Sequence, residues 1–183
     1  MPVKRMFNPD YFYFVTSTAV RHIHLFHQDA IKRIIVDSFH YLRITRQMKL
    51  FVFVIMPNHI HIIVHFIGEH PLSDVMRDFK KFTARQIYRH FHAEQNTKVL
   101  DLLRREGQIL KQEYKVWEDD YDARDVFSTK FLQQKMDYIH HNPCQPHWKL
   151  VETPEQYLWS TAGFYLDGRP CIIPIDDVRE FLV

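Results

Sequence analysis

The segment KLFVFVIMPNHIHIIVHF, residues 49–66, constrains this chain more than any other. Residues 49–56 are almost wholly apolar, and their β-branched and aromatic side chains predict a buried central strand. Residues 59–66 alternate, and a period of two marks a strand with two unlike faces. Between them, Met56-Pro57-Asn58 reads as a turn so short that the strands must pair as a hairpin. Whatever the fold, it has to place this hairpin inside a sheet and cover it with other parts of the chain.

The rest of the sequence supplies that cover. Residues 11–18 (YFYFVTST) read as a strand. Residues 28–47 carry Ile31, Ile34, Ile35, Ser38, Phe39 and Leu42 at helical spacing, with Asp29 as a cap. A second helix is predicted over 71–92, with Leu72, Val75, Met76, Phe79 and Phe82 on one face. Residues 93–112 are polar and show no clear period, and 114–118 (YKVWE) fit a short strand. A third helix is expected over 128–142, with Ser128 as N-cap and an end enforced by Pro143. A short helical piece follows over 154–165. The order matches an α+β class, a ferredoxin-like βαββαβ antiparallel sheet with helices on one face. At 183 residues a single domain is expected, with a core over 11–143 and a short C-terminal extension over 144–183.

Charge gives only a weak pointer to a partner. The net charge is +2, but residues 71–111 hold nine Lys/Arg against five Asp/Glu, and 152–183 hold two against six. That asymmetry permits an anionic partner on one side. Cys144 and Cys171 are the two cysteines, without a CxxC pair, which argues against a structural zinc knuckle and fits a reducing compartment. No apolar run is long enough to span a bilayer and no signal-like h-region opens the chain, so a cytoplasmic protein without membrane attachment is expected.

Histidine is the unusual residue, at thirteen. In the second hairpin strand, Ile60, Ile62, Val64 and Phe66 share the core face, whereas His59, His61 and His65 share the other with Ile63. Two histidines at i and i+2 can aim ring nitrogens at one metal ion. A second HxH, His22 and His24, lies outside the hairpin and reads as surface. On the third helix, Leu132, Met136 and Ile139 form an apolar stripe, while Gln134, Lys135, Tyr138, His141 and Asn142 point away from it. Tyr138 and Asn142 are neighbours at i, i+4. A phenol is a competent covalent nucleophile once its phosphate target is polarised. His59 and His61, with the amide oxygen of Asn142 as third ligand, suit Mg²⁺ or Mn²⁺ with open positions for water and substrate. The same residues admit a metal-dependent phosphoesterase that uses water, with Tyr138 merely structural.

VIMPNHIHIIVHF, residues 54–66, resembles the HUH strand of the insertion-sequence-200-like transposases, and in particular their host-encoded relatives, the REP-associated tyrosine transposases. VWEDDYDARDVFSTKFLQQKMDYIHHNP, residues 116–143, is similar to that family's second block, in which the tyrosine of YIxxNP is the nucleophile. LSDVMRDFKKFTARQIYRHF resembles the family's basic helix, and EQYLWSTAGFYL its tail segment. The resemblance spans residues 11–167. It implies nicking and rejoining of single-stranded DNA near palindromic hairpins through a 5′-phosphotyrosine, with catalytic Tyr138 and metal ligands His59, His61 and Asn142. Insertion-sequence members usually carry glutamine where Asn142 stands. Arg77, Lys80, Lys81, Arg85 and Arg89 on the second helix would track phosphates, with Tyr88 placed to stack on a base. A homodimer and a nucleoid-associated location are compatible with this reading. A domesticated, inactive hairpin-binding relative is the other outcome the resemblance allows.

Overall fold

The computed structural model describes residues 8, 10–45, 48–66 and 71–181. Four strands, β1 (Phe12–Thr18), β2 (Met48–Ile55), β3 (His59–Phe66) and β4 (Asp122–Val126), form one antiparallel sheet in the order β2-β3-β1-β4. The predicted hairpin is β2–β3, closed by the Met56 N–H donating to the His59 carbonyl at 2.8 Å. Helices α1 (Asp29–Thr45) and α2 (Leu72–Ala93) precede and follow it. The first helix was expected to reach residue 47, and its last two positions lie outside the described residues. Strand order and connection order are those of the ferredoxin-like arrangement.

The pleat sorts β3 into two faces. Ile62 pairs with Phe53, whose ring lies 5.9 Å from Phe39 of α1, and Phe39 in turn stacks on Phe79 of α2 at 5.3 Å. The α1/α2 layer therefore covers the Ile60, Ile62, Val64 and Phe66 face, as the alternation requires. The other face carries His61 opposite Thr16 of β1 and Val54 of β2, and α4 (Thr129–His141) lies over it. Cover on both sides explains why β2 is almost wholly apolar.

Two segments differ from the sequence expectation. The fourth strand is Asp122–Val126, not residues 114–118. DARDV is an exposed edge strand, so charged side chains suit it although they give no strand signal. YKVWE instead feeds the core. Trp117 is buried, donates its indole N–H to Thr83 Oγ1 at 2.9 Å, and makes one isolated bridge to Ala19. The polar stretch after α2 contains α3 (Thr97–Ile109), capped by Asn96, whose side chain accepts from the Val99 N–H. Gly107 sits where α3 meets the chain at Tyr114. A Cβ there would come within 2.5 Å of the Tyr114 backbone, so only glycine permits this approach.

The C-terminal stretch closes the free edge of β2. The Ile55 N–H donates to the Trp159 carbonyl and the Thr161 N–H to the Phe53 carbonyl, while Tyr157 and Tyr165 hydroxyls donate to the Ile55 and Phe51 carbonyls. Asp176 accepts from the Leu50 N–H and forms a two-point ion pair with Arg43 of α1. An apolar strand edge that would otherwise be open to pairing is thereby covered.

In the last turn of α4, His140 is buried, with Nε2 3.0 Å from Thr161 Oγ1. Burial pushes its imidazole down to about 4. The unfolded chain takes up that proton near 6.5, before the folded one does, so stability falls as pH drops from about 6.5 towards 4. At roughly 1.4 kcal/mol per unit, this one group removes up to about 3 kcal/mol across that window. We expect His140→Gln to flatten the acid limb of urea unfolding between pH 7 and 4.5. An unchanged limb would assign the acid sensitivity to other groups.

Candidate active site

Extended backbone at Thr16, Thr18, His59 and His61 sets four polar side chains on the sheet face under α4. The rings of His59 and His61 stand 4.6 Å apart. Each is oriented through Nδ1. His61 Nδ1 is 2.8 Å from Thr16 Oγ1, and His59 Nδ1 is 2.6 Å from Asn58 Oδ1. An amide oxygen only accepts, so His59 carries its proton on Nδ1 and presents a bare Nε2. The threonine hydroxyl allows His61 the same tautomer. Burial pushes the His61 imidazole down to about 3, with repulsion from His59 and Lys135 adding to it. Burial likewise lowers His59 to about 4, aided by His22 and His147. Both rings are therefore neutral near pH 7, the state in which imidazole binds metal.

The sequence places Asn142 at the point where Pro143 stops α4, and the chain turns there through a 3-10 segment, Asn142–Cys144. Asn142 is 4% exposed, and its Oδ1 has no hydrogen-bond partner. His61 Nε2 is also buried and unpartnered. Both residues line the same pocket as His59. Two orphaned buried acceptors facing one space are costly in a folded protein, and a cation with oxygen and nitrogen preferences would satisfy them. The donor set present, two imidazoles and an amide oxygen, thus fits a divalent ion. Among the described residues no three His, Cys, Asp or Glu side chains converge as a metal site.

Tyr138 lies one helical turn before Asn142, with its ring 5.2 Å from His61 and 6.2 Å from the buried Phe14. Its side chain is 46% exposed, which leaves the phenol open to a macromolecular substrate. Lys135 Nζ is 5.6 Å from the same ring. His59, His61, Tyr138 and Asn142 are therefore gathered in one pocket from β3, α4 and the 3-10 turn that ends it. His65 shares their strand face but lies opposite Phe12, about 13 Å further along the strand. His141 points away, with Nδ1 2.9 Å from the Asp137 carbonyl in an exposed turn.

Four further residues line the pocket that the sequence did not single out for it: His22, Gln145, His147 and Trp148. His22 is exposed, as expected of a surface residue, but left-handed backbone at Arg21 and His22 curls it over the site, where its carbonyl accepts from Asn58 Nδ2. Its HxH spacing is the one sequence signal it carries. His147 and Trp148 come from the loop after Asn142-Pro143, which has no readable period.

The basic helix is less uniform than its sequence. Lys80 is only partly exposed. Its ammonium donates to the Glu118, Asp119 and Asp120 carbonyls at 2.9, 3.1 and 2.8 Å, and burial lowers it to about 8. It caps a loop and is not free to hold phosphate. Tyr88 is buried, stacks on Tyr114 at 4.0 Å and accepts from Arg104 Nε, so it is not available to a base. Arg77 pairs with Asp74 and Asp78. Lys81, Arg85 and Arg89 are exposed and carry no carboxylate partner among the described residues. All of α2 lies on the sheet face away from His59, His61 and Tyr138.

The fold has counterparts among known proteins. The chain aligns with a solved structure described as a REP-associated tyrosine transposase bound to a REP hairpin, with TM-score 0.65 and 17% identity, over 96% of this chain and 92% of that one. A putative transposase from Deinococcus radiodurans R1 aligns at TM-score 0.46 and 18% identity, over 70% of this chain and 87% of that one. No curated protein sequence matches. No described helix is long and apolar enough to cross a membrane. The family of IS200-like transposases matches residues 10–142, a stretch that runs from β1 to the asparagine at the end of α4, and the chain belongs to that family.

Proposed function

We propose that this transposase nicks and rejoins single-stranded DNA beside a hairpin, with Tyr138 as the attacking group. The observation that carries the reading is the juxtaposition of an exposed phenol, two neutral histidines and an unpartnered buried amide oxygen in one pocket. Tyr138 Oη would bond to the scissile phosphorus as the bond to the 3′-oxygen breaks. The phenol gives up its proton, and the leaving strand end takes one to become a 3′-hydroxyl. The reverse attack by a 3′-hydroxyl reseals DNA without ATP, because the phosphodiester energy is kept in the phosphotyrosine. His59, His61 and Asn142 would hold Mg²⁺ or Mn²⁺. When bound, the ion supplies positive charge beside the phosphate. Thr16 and Asn58 hold the two imidazoles in position for it. Tyr138 stands beside His61 of its own chain. The test is incubation with hairpin-bearing single strands and Mn²⁺. A protein–DNA band that survives denaturing electrophoresis is expected, and clean hydrolysis without one would favour a water-using phosphoesterase.

The structurally related hairpin-bound transposase supports a hairpin as partner. We assign its backbone to Lys81, Arg85 and Arg89. Reversing the three to glutamate should weaken binding across all sequences and lower the salt slope, log K against log salt, by roughly one per lost phosphate contact. Affinity unchanged at low salt would return the face to simple solvation.

A further inference from the structure

Phe127 is 75% exposed, the most exposed large hydrophobic residue of the described chain. It precedes the Ser128 cap of α4 and stacks on Phe131, with ring centroids 5.3 Å apart and planes 12° from parallel. Lys135 continues the same stripe one turn on. Its ammonium lies 5.2 Å from the Phe131 ring, 4.8 Å from Phe14 and 5.6 Å from Tyr138. No carboxylate pairs with Lys135 among the described residues. Positions 127, 131, 135 and 138 are spaced by four, four and three, so they form one row along the helix.

An aromatic contact across a helix N-terminus often fixes the entry angle of the chain. That accounts for the stacking but not for a phenylalanine left three-quarters in water, nor for an unpaired cation set between its partner and the nucleophile. We infer that this row is a track for single-stranded DNA, on which bases stack as the strand runs to Tyr138. Every base has a π-face, so such a surface accepts any sequence, and a lysine within it meets the backbone charge. The eleven steps from position 127 to 138, at about 1.5 Å each, give a row about 16 Å long, the length of about five stacked nucleotides. The occupant is fixed by continuity: the row ends at the group proposed to attack DNA. It rests on that reading for its direction, but its test does not.

The test compares a short oligothymidylate with an abasic strand of equal phosphate number, each binding to the full chain without metal. The wild-type protein should prefer the base-bearing strand by about tenfold. Phe127→Ala should lose most of this preference and bind the abasic strand unchanged. No preference in the wild type, or a preference kept by Phe127→Ala, would overturn the track. So would a shift in sedimentation on Phe127→Ala, which would assign the row to contact between copies of the chain. Neither metal nor cleavage enters the measurement, so failure of the Tyr138 reaction and failure of the track are separately visible.

Discussion

Tyr138→Phe should abolish the covalent protein–DNA adduct while leaving DNA binding intact. The change removes one hydroxyl, and that hydroxyl makes no hydrogen bond with any described residue. The ring packing against His61 and Phe14 is retained, so the helix and pocket should stand within about 0.5 kcal/mol of wild-type stability. Without the oxygen there is no bond to phosphorus and no route for this chain to hold the strand. The chain has nine tyrosines, which makes the claim specific. Tyr88, Tyr157 and Tyr165 spend their hydroxyls on Arg104 and on backbone carbonyls. Tyr88→Phe loses one of those partly buried bonds and should still cleave. With wild-type protein the adduct from a 3′-labelled strand should carry the label, and the released fragment should prime a polymerase from its free 3′-hydroxyl. Adduct formation surviving in Tyr138→Phe would sink the assignment.

Patterns that repeat along the chain were readable, and isolated contacts were not. The β2–β3 hairpin announces itself because one strand is covered on both faces and the other alternates, which also separates His61 from Ile60 and Ile62. Tyr138 and Asn142 follow from helical spacing and from Pro143. The fourth strand carries no sequence signal because an edge strand needs neither apolar faces nor β-branched side chains, and DARDV has little of either. Lys80 looks like its neighbours Arg77 and Lys81 in sequence. Only the loop at 118–120, brought beside α2 by Trp117, turns its ammonium inward. His22 and His147 reach the pocket by backbone turns, one of them left-handed, that no period encodes.

Mn²⁺-dependent adduct formation should fall at least a hundredfold in His61→Ala, and likewise in His59→Ala, because a set of three protein donors cannot lose a nitrogen and keep its geometry. Titration calorimetry with Mn²⁺ alone gives an independent measure, since the proposed donors would hold the ion whether or not DNA is cut. Thr16→Val replaces the hydroxyl beside His61 Nδ1 with a methyl of similar size, so the ring loses its orientation but remains present. Its expected cost is about 10- to 100-fold in Mn²⁺ affinity. His22→Ala supplies the control. It borders the pocket, yet it is exposed, and its contact with Asn58 runs through a backbone carbonyl that alanine keeps. Its Mn²⁺ affinity should stay near wild type, and a loss equal to that of His61→Ala would mean the wrong histidines were chosen. The pH dependence separates the same alternatives. Protons compete with metal for an imidazole only as pH approaches its own protonation range, and burial has moved His59 to about 4 and His61 to about 3. Mn²⁺ affinity should therefore hold from pH 7 down to about 5, whereas exposed histidines would begin to lose it near 6.5.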